Sequence, residues 1–296
     1  MPLGIVYALL AYVAWGLLPL YWKLFASMES MDILAFRVLW SFIFVVIVIG
    51  VTRRWKEVRQ VFSNRQTTWA IVAGSLLISS NWLLFIWAVN HGQVVETSLG
   101  YYMNPLLNVV IAVVFLKEKL NRGQWTAIGL ALIGVIVLTV SHGSLPWISL
   151  SLALTFALYS VVKKKIKADA MPGLAGETAI VLPIAVIYLL FSQSGEQSAA
   201  ATLNVFQWVM LILSGAATAM PLYWFALAAK RLPLTIVGLV QYVAPSISLM
   251  LGVLVFKETF TTVHAVSFAM IWLALVIFTW SSLVRQSKMQ QAKLDA

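Results

Sequence analysis

The sequence predicts an all-α polytopic membrane protein, with ten transmembrane helices arranged as two inverted repeats of five helices each. Three observations predict this fold class. The 296-residue chain is 61% hydrophobic and only 10% charged, apolar windows recur along its length, and a segment of its first half returns in similar form in the second. A soluble protein of this length would need far more polar surface to cover its core.

The apolar windows are each long enough, at roughly 18 residues or more, to cross a hydrocarbon core about 30 Å thick. The first window carries Pro19 and Trp22 and has no basic residue before it, so we interpret it as a retained helix rather than a signal peptide. The ten predicted spans are Gly4–Leu24, Ile33–Val51, Trp69–Asn90, Val94–Leu116, Gly123–Ser141, Leu145–Val162, Leu174–Phe191, Phe206–Ala229, Thr235–Phe256 and Thr262–Val284.

The placement of the basic residues predicts the orientation of the chain. Of the 20 Lys and Arg residues, 17 fall in the loops after the second, fourth, sixth and eighth spans or in the tail after Val284. By the positive-inside rule, both termini are expected in the cytoplasm. The net charge of +10 is therefore interpreted as a signal of orientation and of contact with anionic membrane lipids, not as a nucleic-acid site.

The composition also limits the chemistry. Cysteine is absent, so neither disulfides nor thiolate metal sites are expected. The three histidines lie near predicted membrane boundaries, and the ten acidic residues are scattered rather than clustered. A membrane transferase would need clustered carboxylates for a metal, or a nucleophile with a base. We therefore predict no metal site, no cofactor and no enzymatic activity.

An internal repeat organises the chain. The segment "SLGYYMNPLLNVVIAVVFLKEKL" from Ser98 aligns without a gap with "GLVQYVAPSISLMLGVLVFKETF" from Gly238, an offset of 140 residues. Because each half holds an odd number of spans, the second half must enter the membrane the other way up. The predicted units are residues 1–142, residues 143–284 and a short basic cytoplasmic tail, 285–296. Inverted repeats of this kind are typical of secondary transporters, with a substrate site near the membrane midplane.

Three stretches carry a resemblance to a known family: "AYVAWGLLPLYWK", "NWLLFIWAVNHGQVVETSLGYYMNPLLNVVIAVVFLKEKL" and "SLPWISLSLALTFALYSVVKKKI". They are similar to the RarD branch of the EamA family, within the drug/metabolite transporter superfamily. The resemblance covers essentially the whole chain. It implies an inner-membrane permease that exports small metabolites such as amino acids, or amphipathic drugs, by alternating access around a central cavity between the repeats.

Polar and aromatic side chains inside the spans are the candidates for substrate binding, because polar groups within a bilayer usually face protein or a water-filled cavity. The alternative role is hydrogen bonding between helices for the polar residues and packing for the tryptophans. Pro105 and Pro245 occupy matching positions in the two halves and are predicted to interrupt their helices, as paired interruptions do in transporters. The substrate-binding candidates are Trp15, Asn81, Trp82, Tyr101, Asn104 and Gln241.

Three charged residues, Arg37, Glu96 and Glu177, are candidates for gating or coupling. Arg37 and Glu177 are equivalent by the repeat but lie towards opposite membrane faces, so they are not expected to pair. The predicted partners of Arg37 are Glu96 and Asp32, and those of Glu177 are Lys163, Lys164 and Arg231. Snorkelling towards the membrane surface is the alternative. The structural candidates are Glu118 and Glu258, which could cap helices.

Two other functions compete with small-molecule transport. A lipid or lipid-linked sugar flippase could use the same scaffold, with a lateral opening that sequence does not reveal. A sensor or scaffold is disfavoured because no soluble output domain accompanies the spans. The substrate, the direction of transport, the coupling ion and the oligomeric state are left open by the sequence.

Overall fold

Helices make up the fold throughout the described part of the chain. The computed structural model describes residues 2–116, 120–163, 168–193, 199–232, 236–237 and 240–294, and it contains no strand within them. The helices are α1 (Pro2–Lys23), α2 (Ser30–Thr52), α3 (Trp55–Val61), α4 (Arg65–Asn90), α5 (Val94–Leu116), α6 (Arg122–His142), α7 (Trp147–Lys163), α8 (Ala170–Ser192), α9 (Val205–Ala229), α10 (Val243–Met250) and α11 (Thr262–Leu294). A 3₁₀ turn at Ala199–Thr202 precedes α9, and a π-helical turn at Leu251–Val255 follows α10.

Each predicted span contains helix among its described residues, and three local features differ from the prediction. The last helix, α11, continues beyond the predicted span end at Val284 to Leu294. The short helix α3 occupies the basic loop after α2, where no helix was predicted. In the ninth span the chain turns at Gln241–Tyr242, and α10 begins only at Val243. By length and composition, seven helices in the described residues could cross a membrane: α1, α2, α4, α6, α8, α9 and α11. The helices α7 and α10 are apolar but shorter.

Asparagine caps begin several of the long helices. Asn121 starts α6 and Asn204 starts α9, each with a reciprocal capping box to a glutamine three residues later. Asn64 caps α4 by accepting a hydrogen bond from the Gln66 backbone N–H at 2.8 Å. These side chains satisfy N–H groups that the first helical turn leaves unpaired. Asn64 and Asn204 are 140 residues apart, which is the offset of the sequence repeat.

The helices pack in pairs that recur between the two halves. The helices α1 and α2 of the first half both pack against α9 of the second, and α7 and α8 of the second half both pack against α4 of the first. The contact of α5 with α7 corresponds in the same way to that of α10 with α1. Three further pairs, α2 with α8, α5 with α10 and α6 with α11, join equivalent helices of the two halves.

Polar contacts tie the helix ends together at one end of the bundle, which we call the Asp32 side. Asp32 at the start of α2 accepts hydrogen bonds from Ser192 and Gln193 at the end of α8, at 2.9 and 3.0 Å. The Gln207 side chain at the start of α9 donates to the Leu24 carbonyl after α1, at 3.0 Å. The end of α8 and the start of α9 therefore lie beside the loop that joins α1 to α2.

The opposite end, the Asp169 side, is held by charges. Arg54, after α2, donates to Asp169, before α8, at 2.6 Å, and also forms an ion pair with Glu57 of α3. Lys230, after α9, contacts the same Asp169 carboxylate at 3.2 Å. The basic loops after the second and eighth spans therefore meet on one side of the bundle, as their predicted common orientation requires.

Glu258, which follows the π-helical turn after α10, binds the start of α5. Its carboxylate accepts hydrogen bonds from the backbone N–H groups of Val94 and Val95, both at 2.8 Å, at the start of α5. This position also places a negative charge at the positive end of the helix dipole. The prediction that Glu258 caps a helix is confirmed, whereas Glu118 lies outside the described residues.

Candidate functional site

A buried cation lies in the middle of the candidate site. Arg37, on α2, is only 4% exposed, and its Nε donates to the Thr218 hydroxyl of α9 at 3.0 Å. Its guanidinium carbon lies 4.8 Å from the centre of the Trp22 ring and 4.0 Å from that of Trp82. Arg37 forms no ion pair within the residues that the structure describes.

These contacts offset only part of the free-energy cost of burying the Arg37 charge. Transfer of an ion out of water costs several kcal/mol even after the protein relaxes. A desolvated cation–π contact returns about 2 kcal/mol, and the Thr218 hydroxyl satisfies one N–H donor. The Nη1 atom is buried and has no hydrogen-bond partner in the described part of the chain. A buried charge that its own protein leaves incompletely paired is a strong candidate for a functional group.

The predicted acidic partners of Arg37 are used elsewhere. Glu96 accepts a hydrogen bond from the Ser149 hydroxyl of α7, and Asp32 is bonded to the end of α8. The prediction that Arg37 pairs with either residue is therefore wrong for this conformation. Arg37 lies between two indole rings instead, an arrangement that the planar guanidinium favours.

Asn81 and Tyr101, which were both predicted to face a central cavity, lie together and have their polar groups engaged with protein. The Asn81 amide nitrogen donates to the Leu152 carbonyl at 3.0 Å and to the Thr155 hydroxyl at 2.9 Å, both on α7. The Tyr101 hydroxyl of α5 donates to the Asn81 oxygen at 3.3 Å. Asn81 is 1% exposed, so the contacts of its amide in this conformation match the alternative of hydrogen bonding between helices.

The other predicted binding residues are spread along the bundle. Trp15 packs against Tyr12 and Phe225, with ring centres 5.3 and 5.8 Å away. Asn104 is buried, and its side-chain oxygen has no partner among the described residues. Gln241 is half-buried in the turn before α10. Within this conformation, Trp82 is the predicted binding residue in direct contact with Arg37.

The two prolines differ in their effect on the helices. Pro245 lies in the first turn of α10, directly after the break at Gln241–Tyr242, in keeping with the predicted interruption. Pro105 lies inside α5, which runs unbroken from Val94 to Leu116, so the interruption predicted there is absent. Proline still lacks an N–H, so the Tyr101 carbonyl four residues earlier loses its usual helical donor.

Glu177 lies in a second buried cluster, formed with Tyr159 and Lys163 of α7. Glu177 is 3% exposed and forms an ion pair with Lys163 at 2.5 Å. The Tyr159 hydroxyl donates to the same carboxylate at 3.1 and 3.2 Å. Lys163 is one of the partners predicted for Glu177, and this contact is confirmed.

Sequence reasoning missed three members of these clusters: Trp22, Thr218 and Tyr159. Trp22 is near the end of the first span and resembles an interface anchor by position, yet it is fully buried. Thr218 resembles any small polar residue of a membrane helix. The packing of α9 against α2, of α1 against α4, and of α7 and α8 against α4 brings these residues to the charges.

The fold and these clusters define a multi-pass helical membrane protein with buried charges between its helices. Comparison with known proteins gives the family. The model of the EamA-like transporter family matches residues 2–140. The uncharacterized transporter YojE of Bacillus subtilis is 45% identical over 282 residues, covering 94% of each chain. Protein RarD of Streptomyces exfoliatus is 41% identical over 293 residues, covering 99% of this chain and 93% of the relative.

The chain therefore belongs to the EamA-like transporter family, in the group that includes the proteins named RarD. A solved crystal structure is similar in fold, with a TM-score of 0.62 over 94% of this chain and 97% of that chain. The two sequences are 17% identical, so this likeness concerns the fold alone.

Proposed function

We propose that this protein is a secondary transporter of the cell inner membrane that carries small metabolites, such as amino acids, or amphipathic drugs. Ten helices cross the membrane as two inverted repeats of five, residues 1–142 and 143–284, with both termini in the cytoplasm. The two repeats move relative to each other, so that a site between them opens alternately to either side.

The recurrence of helix pairs supports the inverted repeat. In the repeat, α1, α2, α4, α5 and α6 correspond in order to α7, α8, α9, α10 and α11. The contact of α1 with α9 therefore corresponds to that of α7 with α4, and the contact of α2 with α9 to that of α8 with α4. The same correspondence maps α2–α8, α5–α10 and α6–α11 onto themselves. A pseudo-two-fold axis in the membrane plane produces this pattern, and such an axis gives two nearly equivalent conformations that open to opposite sides.

The observation that carries the proposal is the position of Arg37 between the two halves. Its contacts come from α1, α2 and α4 of the first half and from α9 of the second. Any movement of one half against the other must therefore change the surroundings of this buried charge. Its repeat equivalent, Glu177 on α8, contacts α7, and its carboxylate lies close to Gly74 of α4.

The two sides of the bundle supply contacts that such a movement would have to break. In this conformation the Asp32 side is held by hydrogen bonds to Asp32, and the Asp169 side by the ion pairs of Arg54 and Lys230. The Glu177–Lys163 pair lies nearer the Asp169 side, on helices from one repeat. We assign Arg37 and Glu177 as residues that couple substrate binding to opening of the two sides.

Counterflow in proteoliposomes tests the proposal. Purified protein is reconstituted with an unlabelled amino acid, an amphipathic drug or a lipid-linked analogue inside, and the labelled compound is added outside, with and without a pH gradient. Transient accumulation of a soluble compound, absent in protein-free liposomes, is the expected result. Movement of the lipid analogue alone would favour a flippase instead, and absence of any exchange would contradict the proposal.

A further inference from the structure

The buried groups without a partner near Arg37 comprise three that can only donate hydrogen bonds, together with the hydroxyls of Ser41 on α2 and Ser214 on α9, which can donate or accept. The Arg37 Nη1 and the indole nitrogens of Trp22 and Trp40 are buried without an acceptor in the described part of the chain. Trp40 lies three residues after Arg37, less than one turn along α2. Guanidinium and indole N–H groups can only donate hydrogen bonds. A ligand that satisfies them must therefore bring acceptors.

The positive charge of Arg37 also favours a ligand that carries hydrogen-bond acceptors. Arg37 is a permanent cation with no ion pair among the described residues, and it lies against aromatic faces that offer no full negative charge. A carboxylate supplies two acceptor oxygens in the geometry that a guanidinium matches best. A ligand ammonium group would be repelled by Arg37 and would leave every one of these donors unpaired. The surrounding indole rings also suit an apolar group on the ligand.

We infer that the transported compounds are organic carboxylates, and that Arg37 binds their carboxylate group while Trp22 and Trp82 contact an adjoining apolar part. This inference rests on the proposed transport function and adds the substrate class and the residue that recognises it. Arg37 is thereby a specificity-determining residue: neutral and purely cationic compounds of the same shape are poor substrates, whereas zwitterionic amino acids qualify through their carboxylate.

Ligand-induced thermal stabilisation of the purified protein tests this inference directly. Matched pairs are compared at equal concentration: benzoate with benzamide, N-acetylphenylalanine with its amide, and phenylalanine with phenylalanine amide. A compound that binds only the folded protein raises its unfolding temperature. We expect the carboxylate of at least one pair to stabilise the wild type while its amide does not. Equal stabilisation by both members of each pair, or no stabilisation by any carboxylate, would overturn the inference.

Two substitutions locate the effect at Arg37. Arg37→Gln should weaken carboxylate binding about tenfold or more, because it removes a charge-assisted hydrogen bond from a desolvated site. Arg37→Lys keeps the charge but not the planar fork and should retain part of the affinity. Arg231→Gln is the matched control: Arg231 also lies over an aromatic ring, 5.3 Å from Tyr7, but it is exposed and donates to the Leu227 carbonyl. Its loss should leave binding unchanged.

The outcomes separate this inference from the transport function. If both the wild type and Arg37→Gln show counterflow of a neutral or cationic compound, the protein is a transporter but the carboxylate assignment is wrong. If carboxylates bind in a manner that depends on Arg37 but no compound shows counterflow, the anion site is supported and the proposed transport function is wrong. Because the comparison of carboxylate with amide uses the wild type, it remains decisive even where Arg37→Gln does not fold.

Discussion

At the scale of single residues, the structure separates polar groups already satisfied by protein from those that are not. Asn81 and Arg37 are both almost fully buried, and sequence reasoning placed both in functional roles. The Asn81 amide has three hydrogen-bond contacts with α5 and α7, whereas Arg37 retains a donor without a partner. The contacts of Asn81 are typical of a residue that joins two helices, whereas the unpaired donor of Arg37 is typical of a ligand-binding group.

Substitution of Asn81 should therefore affect stability more than substrate recognition. Asn81→Leu removes the hydrogen bonds to Leu152 and Thr155, and polar contacts between membrane helices contribute about 0.6–2 kcal/mol each. We expect the free energy of unfolding in detergent to fall by about 1–2 kcal/mol, with a smaller loss for Thr155→Val, which removes one of the contacts. Loss of transport with unchanged stability would instead place the Asn81 amide on the substrate.

At the scale of helices, close backbone approach between α2 and α9 holds the Arg37 cluster in position. A Cβ atom added to Gly215 of α9 would lie 2.2 Å from the carbonyl oxygen of Trp40 in α2. Small residues at such crossings let backbones come close enough for strong van der Waals packing. Because Thr218 lies one turn further along α9, the same approach brings its hydroxyl to Arg37.

Gly215→Ala should disrupt this crossing. The added methyl group meets backbone rather than a flexible side chain, so the helices must separate, and the Arg37–Thr218 hydrogen bond must lengthen. We expect a clear loss of monodisperse protein and a lower unfolding temperature. Gly129→Ala is the control, since a Cβ there meets nothing within 4 Å. Equal behaviour of the two variants would contradict the close packing of α2 and α9.

The charged helix ends on the Asp169 side should give a pH-dependent contribution to stability. Hydrogen bonding to Arg54 lowers the pKa of both Asp169 and Glu57 below their usual values, and Lys230 lowers that of Asp169 further. Since the folded pKa is below the unfolded one, the stabilisation is present above the unfolded value of about 3.9 for Asp. It is lost as the pH falls through the folded value.

Asp169→Asn tests this contribution. At neutral pH the variant should be slightly less stable than the wild type, by at most about 1 kcal/mol, because the Asp169 side chain is 41% exposed and such pairs are screened. The difference should shrink at acid pH and at high salt. Unfolding temperatures measured at several pH values check this, with Lys56→Gln in α3, another exposed charge on the Asp169 side, as control. A difference independent of pH would point to packing rather than charge.

At the scale of the whole molecule, the contacts between helix ends define two sides that the proposed orientation assigns to opposite faces of the membrane. Val205, at the start of α9 on the Asp32 side, is 81% exposed, and Lys56 is exposed in α3 on the Asp169 side. From the distribution of basic loops, the Asp169 side is predicted to face the cytoplasm. A test of this assignment tests the orientation of the whole bundle.

Single cysteines can report this orientation, because the native chain has none. In intact bacterial cells, a membrane-impermeant maleimide should label Val205→Cys and should leave Lys56→Cys unlabelled until the cells are permeabilised. The unsubstituted chain, with no thiol, measures background labelling. Labelling of both positions from outside, or the reverse pattern, would contradict the proposed topology.

The helices could be predicted from the sequence because the signals for them are local. An apolar window long enough to cross a bilayer is a property of adjacent residues, and most predicted spans coincide with a helix. The ninth and the last differ, since α10 begins only at Val243 and α11 continues to Leu294. The cap at Glu258 was likewise anticipated from its position after a span. The prolines Pro105 and Pro245 were both predicted to interrupt their helices. A break does precede Pro245, at the start of α10, but α5 continues unbroken through Pro105.

The candidate site could be predicted only in part, because its contacts join residues far apart in the chain. Sequence reasoning selected Arg37 and Trp82 but assigned Arg37 an acidic partner. The structure supplies Trp22 and Thr218 instead, from α1 and α9. The packing of one helix against another depends on the shape complementarity of their surfaces, as at Gly215. The hydropathy pattern of a single helix does not reveal this complementarity.

The sequence by itself therefore determined that the chain is a helical membrane protein and where most of its long helices lie, and it selected Arg37 and Glu177 as charged residues within the spans. These properties follow from transfer of local groups between water and lipid. Only the tertiary structure decided that Arg37 lies against two tryptophans and forms no ion pair within the described residues, and that Glu177 pairs with Lys163. The physical reason is that these partners are selected by packing between helices, which brings together residues that no local pattern relates.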